Sequence, residues 1–141
     1  TIVSTMAARG KYVPGGFALL VKRSSAGLGL FAGEPIQKGA CVIEYVGREL
    51  SLKESETSKS KYLFEVSKKK TLDGKPAINK AGYINHSCAP NSETEIAKGR
   101  VYVMAIKNIK LGDELTYDYG EEYCLEHCVP CRCPGTKHLY G

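Results

Sequence analysis

Tyr117 and Tyr119 stand two residues apart in the segment Gly112-Asp-Glu-Leu-Thr-Tyr-Asp-Tyr119. In an extended chain such residues share one face. Two phenols on one face can line a narrow channel; the alternative is an aromatic pair packed in the core. A second segment, Tyr83-Ile-Asn-His-Ser-Cys-Ala-Pro-Asn91, sets the polar pair Asn85-His86 directly after an apolar pair. An asparagine side chain offers both donors and an acceptor, which suits a zwitterionic ligand. His86 reads alternatively as a hydrogen-bonded core histidine. A third segment, Ala26-Gly-Leu-Gly-Leu-Phe31, carries glycines at 27 and 29. Backbone at such positions can approach a ligand closely; a glycine-rich turn between strands is the plainer reading. It is not a phosphate loop, because no Lys-Ser or Lys-Thr follows. No Gly-x-Ser-x-Gly nucleophile elbow occurs, so hydrolysis finds little support.

Six cysteines are unevenly placed. Cys41 and Cys88 are isolated, whereas Cys124, Cys128, Cys131 and Cys133 crowd into ten residues. Intracellular proteins seldom keep disulfides, so a tight cluster favours a metal over bridges. Free thiols in a small apolar packing knot are the alternative.

These groups need elements to position them. Phe17 to Lys22 is an apolar run fit for a core strand. Cys41 to Val46 and Tyr62 to Val66 mix β-branched and aromatic residues, again strand-like. Ser51-Leu-Lys-Glu54 has the spacing of a capping box and predicts a short helix to about Ser60. Thr94 to Ile96 and Val101 to Ile106 flank Lys98-Gly99-Arg100, which reads as a hairpin turn. Leu111-Gly-Asp113 is a second turn, leading into Glu114 to Tyr119. Many short strands with frequent glycine turns predict a mainly β domain. The expected organisation is an arm over 1–15, the main domain over 16–120 and a Cys-rich tail over 121–141.

The chain has 141 residues, 43% of them apolar and 25% charged, as in an ordinary globular domain. The formal charge of +5 is too mild to imply nucleic acid, and direct nucleic-acid binding is not expected. Lys68-Lys69-Lys70 reads as a solvated turn between strands. No apolar run approaches a bilayer span, and the first ten residues lack the apolar stretch of a signal peptide. The expectation is a cytoplasmic or nuclear protein with no membrane partner.

In this order and at these separations, the segments resemble the SET-domain lysine methyltransferases. Gly27-Leu-Gly29 resembles the family's first glycine motif and Asn85 to Asn91 its asparagine-histidine motif. Glu114 to Tyr119 resembles its tyrosine motif, and Cys131-Arg-Cys133 the Cys-rich post-SET tail. The resemblance covers about residues 16 to 138. It implies a SET-domain fold: several small curved sheets, with a knot-like threading of the C-terminal stretch under the loop of Asn85 and His86. It implies methyl transfer from S-adenosylmethionine to the side-chain amine of a lysine in a histone or other basic protein tail. The backbone of Ala26, Gly27, Leu28, Gly29 and Leu30, with Tyr62, Asn85 and the main chain of His86, would hold the methyl donor. Tyr119 would be the catalytic tyrosine and Tyr45 a wall of the lysine channel. Tyr117 occupies the position that tunes product multiplicity, and a tyrosine there implies mainly monomethylation. Zinc would be held by Cys88, Cys131, Cys133 and His138, with Cys128 the rival fourth ligand and Cys124 or His127 left open.

Three positions depart from the family pattern. Gly82 stands where many members carry an arginine, so an ion pair is missing. Leu28 stands where several carry Trp or Arg. His138 takes the last metal position. Glu121 and Glu122 read as a solvated acidic turn. Two other classes compete: a catalytically silent SET-fold module that binds peptides, and a zinc-stabilised structural domain with no cofactor. Intact Asn85, His86 and Tyr119 argue against the first.

Overall fold

A computed structural model describes residues 10–25, 27–120 and 123–124. Their strands form four small sheets rather than one large one. Strands β1 (Leu19–Ser24) and β2 (Gly27–Ala32) make an antiparallel hairpin. Strand β3 (Cys41–Tyr45) pairs with β9 (Arg100–Ala105), and β9 with β8 (Ser92–Ala97). Strand β4 (Arg48–Leu50) pairs with β6 (Lys70–Asp73), and β6 with β5 (Leu63–Ser67). The last sheet is a parallel pair of two-residue strands, β7 (Asn85–His86) and β10 (Thr116–Tyr117).

The centre of the fold is β9. Val101 to Ala105 are all buried, because this strand has neighbours on both edges and packing on both faces. Val101, Val103 and Ala105 face the main core with Leu30, Ile36, Ile84, Ile109 and Leu115. Tyr102 and Met104 point the other way, onto Cys41 and Tyr12. Tyr12, in the stretch expected to be an arm, therefore docks on the back of the central sheet. Its ring lies 5.2 Å from that of Tyr102, and its hydroxyl donates to Glu95 at 2.8 Å.

Local chemistry explains several elements. The turn between β8 and β9 is Lys98-Gly99, with φ of 51° and 74°. Two successive positive φ values match the twist of a tight hairpin, and Arg100 already belongs to β9. The capping box at Ser51 is formed in both directions with Glu54. The helix α1 (Leu52–Thr57) ends short of Ser60, since none of its residues is buried and little beyond the cap holds it. Lys68 and Lys69 form the exposed turn between β5 and β6.

Two expectations need correction. The segment 17–22 is not a core strand: β1 starts at Leu19, which is buried, while Leu20 and Val21 are 46% and 40% exposed. Among the described residues its only strand partner is β2, so its apolar residues lie on a two-stranded hairpin. The glycine-rich segment is not a turn, because Gly27 to Ala32 is strand β2.

Candidate functional site

The parallel pairing of β7 with β10 sets Asn85 opposite Thr116 and His86 opposite Tyr117. Asn91 prepares that register from the side. Its Nδ2 donates to the Glu114 carbonyl at 2.8 Å, and its Oδ1 accepts from the Thr116 amide at 3.0 Å. One asparagine thereby replaces a strand neighbour on each side of Leu115. Beside this pair lies a cavity of about 560 Å³ at the meeting of all four sheets.

Seven of the residues expected at a site line this cavity: Gly27, Leu28, Tyr45, Tyr62, Asn85, Tyr117 and Tyr119. Tyr117 and Tyr119 are in ring contact at 4.9 Å, so they form one aromatic wall. The Tyr119 hydroxyl donates to the Ile84 carbonyl, and its amide to His86 Nδ1 at 3.2 Å. The opposite wall is Tyr45, whose hydroxyl donates to the Tyr62 carbonyl at 2.7 Å. Burial pushes the Tyr45 phenol well above its ordinary range, helped by the nearby Asp73. Burial does the same for Tyr117, with Tyr45 adding to it. Both stay neutral at physiological pH.

The other expected residues lie elsewhere. Leu30 is fully buried in the core. Gly29 lies where Glu114 approaches Asn85, and a Cβ there would sit 2.4 Å from Glu114 Oε2. The His86 ring is buried behind the cavity wall. Accepting the Tyr119 amide at Nδ1 puts the ring proton on Nε2, which faces Cys88 Sγ at 3.3 Å. Ala26, His127, Cys128, Cys131, Cys133 and His138 lie outside the described residues.

His86, Asp118 and Cys124 bring three possible metal ligands within 4.8 Å of one another. A metal there would take the Nδ1 lone pair that holds the Tyr119 amide, which argues against that use. Cys124 Sγ lies 3.4 Å from Nδ1, whereas Cys88 faces Nε2. The two thiols approach different nitrogens of one imidazole, and Cys88 is not part of the three-ligand group.

Sequence reasoning missed four contributors. Tyr123, beyond the boundary expected at 120, packs edge-on against Tyr119 at 5.1 Å and closes one end. Asn79 is fully buried; it donates to the Gly74 carbonyl at 2.9 Å and accepts from the Val46 amide at 3.2 Å. Gly74 lies flat against Tyr45, where a Cβ would come within 2.4 Å of the ring. Glu114 bonds Asn85 Nδ2 at 2.9 Å. Tyr123 carried a readable signal, an aromatic residue four positions after Tyr119. Gly82 is explained by crowding, since a Cβ would lie 2.7 Å from the Gly74 carbonyl oxygen.

Small curved sheets, a parallel β7–β10 pair and an aromatic cavity beside an asparagine-histidine strand define a class of fold. The SET domain family matches residues 27–120, and the chain belongs to it. It is 34% identical over 127 residues to histone-lysine N-methyltransferase trr of Drosophila melanogaster, covering 81% of this chain. The chain spans 5% of that relative's length. Among solved structures, it is similar to ctPRC2 in an autoinhibited conformation bound to S-adenosylmethionine. The TM-score is 0.65 at 35% identity, over 74% of this chain and 15% of that one. It is also similar to KRYPTONITE in complex with mCHH DNA, H3(1-15) peptide and SAH. There the TM-score is 0.64 at 33% identity, over 74% of this chain and 23% of that one. Among the described residues, no helix is long and apolar enough to cross a membrane.

Proposed function

We propose that this cavity transfers a methyl group from S-adenosylmethionine to the side-chain amine of a protein lysine, with a histone tail the preferred acceptor. One observation carries the reading: Asn85, Tyr45, Tyr117 and Tyr119 all face one cavity in a chain of the SET family. A volume of about 560 Å³ suits a ligand of this size. The relatives named as histone-lysine methyltransferases, and the neighbours bound to S-adenosylmethionine or to an H3 peptide, support the same chemistry.

S-adenosylmethionine supplies an electrophilic methyl group on a sulfonium. The chain must supply a neutral amine held in line with it. Free lysine has a pKa near 10.4, so at pH 7 neutralisation costs about 4–5 kcal/mol. A channel between Tyr45 and Tyr117 lowers that cost, because burial and a nearby cation both disfavour the ammonium. Neither phenol acts as the base, since each is itself held protonated. The proton leaves to solvent before the amine is enclosed. Holding the reactants in line removes much of the entropic barrier. The Tyr119 hydroxyl donates its hydrogen bond to the Ile84 carbonyl, which leaves its oxygen lone pairs for the transferred methyl. The aromatic walls suit an alkylated ammonium by cation–π attraction.

The remaining assignments follow this reading. The backbone of Gly27 and Leu28, with Tyr62, Asn85 and the main chain of His86, holds the donor, while Leu30 supports that strand from the core. Tyr117 restricts the product mainly to monomethyl-lysine. Residues 16–120 are the SET unit, its C-terminal stretch threaded under the Asn85–His86 loop, and residues 121–141 are a post-SET tail. Three thiolates and an imidazole form an acceptable tetrahedral zinc set, here Cys88, Cys131, Cys133 and His138. Of these four, Cys88 lies within the described residues and is half-buried. The acceptor is an exposed, extended segment that binds in strand-like fashion. A histone acceptor places the protein in the nucleus.

The test is label transfer from S-adenosylmethionine to a histone mixture, with Tyr119→Phe as control. Label on lysine that falls at least tenfold in the variant is the expected result. Donor binding without transfer to any histone or to a cell lysate would favour the silent peptide-binding module. No donor binding by calorimetry would leave a structural domain.

A further inference from the structure

Asn85 Nδ2 is surrounded by acceptors. It lies 2.9 Å from the Leu28 carbonyl, 2.9 Å from Glu114 Oε2 and 3.0 Å from Ser24 Oγ. An amide nitrogen has only two hydrogens, so it is oversubscribed. The amide oxygen has no hydrogen-bond partner among the described residues, and no side-chain oxygen there is both buried and unpartnered. Asn85 therefore offers an unused acceptor at the cavity wall.

Three partners could set that orientation, but they differ in force. A serine hydroxyl can donate as well as accept, so Ser24 tolerates either face of the amide. A carboxylate only accepts, and its bond to an amide N–H is strengthened by the charge. Glu114 thus opposes the flipped amide most strongly. Its main chain is fixed on both sides. Its carbonyl takes the Asn91 amide at 2.8 Å, and the next amide, Leu115, donates to the Leu30 carbonyl at 2.8 Å. Gly29 is the opening through which the carboxylate reaches Asn85, because a Cβ there would collide with Oε2 at 2.4 Å. Among the described residues no lysine or arginine pairs with Glu114. Its charge remains available to a cationic ligand.

We infer that Glu114 is a positioning and specificity residue for the methyl donor. It locks the Asn85 amide oxygen toward the cavity and adds a negative charge beside it. Together they select a ligand carrying an ammonium group. This rests on the methyltransferase reading above, and it assigns Glu114 and Gly29 to the ammonium end of the donor.

The experiment is a thermodynamic cycle on the full chain. Binding of S-adenosylhomocysteine and of its des-amino analogue is measured by calorimetry, directly or by competition, for wild type and Glu114→Gln. Glutamine keeps the size but can donate as well as accept, so the lock and the charge are lost together. The expected result is at least a tenfold weaker affinity for S-adenosylhomocysteine and less than a twofold change for the des-amino analogue. Gly29→Ala, which displaces the carboxylate, is expected to give the same selective loss. A variant that has merely lost structure would weaken both ligands equally, and that outcome overturns the inference. So does an unchanged affinity for both. Wild-type protein that binds neither ligand would remove the methyltransferase reading itself, and this inference with it.

Discussion

Replacing Gly74 with alanine adds one methyl group at the most crowded point of the cavity wall. The new Cβ would lie 2.4 Å from Tyr45 Cε1 and 2.5 Å from its Cζ and Oη. Gly74 does not have a positive φ, so alanine meets no backbone strain there. The whole effect is steric, and the ring has little room, being 4% exposed and packed on Phe64 at 5.2 Å. Overpacking of this kind costs about 1–3 kcal/mol. Moving the ring also breaks the 2.7 Å bond from its hydroxyl to the Tyr62 carbonyl, for about 1 kcal/mol more. That carbonyl keeps its bond from the Gly74 amide at 2.9 Å, so no buried acceptor is orphaned. The sum, about 2–4 kcal/mol, corresponds to a fall in Tm of roughly 6–15 °C for a chain of this length. Thermal unfolding in a double-mutant cycle isolates the cause. Once Tyr45→Ala removes the ring, Gly74→Ala is expected to cost less than about 0.5 kcal/mol. An equal loss with and without the Tyr45 ring, or a Tm within about 2 °C of wild type in the single variant, would refute the steric argument.

Tyr117→Phe removes a phenol that takes space and can hold the amine, so di- and trimethyl products are expected to rise; mass spectrometry showing an unchanged product distribution would count against this. The raised pKa of Tyr45 and Tyr117 has a definite sign in stability. The native state keeps both protons where the unfolded chain, at the ordinary value of 10.0, has begun to lose them. These groups add no pH dependence well below pH 10 and destabilise above it, by about 1.4 kcal/mol per pH unit each. Denaturant unfolding across about pH 9–11 is expected to show this slope, and Tyr117→Phe to halve the share due to the pair; an identical slope would contradict the burial argument. Cys131→Ser is expected to lose bound zinc from a one-to-one complex and to lower Tm. Metal-free protein with full activity would dispose of the zinc site.

The parts of this fold that could be read from the sequence are those decided within a few residues. The capping box needs only Ser51 and Glu54, three positions apart, and it forms as expected. The β8–β9 hairpin needs only a Lys98-Gly99 turn that accepts positive φ. Apolar content alone misled at β1, because Leu20 and Val21 look like core residues until the strand turns out to have a single neighbour among the described residues. The site was legible as three segments but not as a cavity. Nothing in the spacing of Asn85 and Tyr117 reveals that they meet in a parallel pair of two-residue strands. Asn79 was invisible for the same reason. It sits in Lys75-Pro-Ala-Ile-Asn79, an unremarkable loop sequence, and becomes a clamp only because Gly74 and Val46 come to its two ends.

The two glycines that matter most here carry a common physical meaning. In a sequence, glycine is read first as a turn former. Gly29 lies inside a strand and Gly74 just after one, and neither has a positive φ. What each provides is the absence of a Cβ, at 29 toward Glu114 and Asn85 and at 74 toward Tyr45. Each permits a side chain from a distant segment to stand against backbone, and in each case that side chain borders the cavity or bonds a residue that does. A small β domain has few side chains to spare for both core and cavity. Leaving one out at the point of closest approach lets a neighbouring strand stand where a side chain would otherwise be needed to hold the wall. The site therefore depends on residues that touch no ligand, and alanine at 29 or 74 is a more severe change than its size suggests.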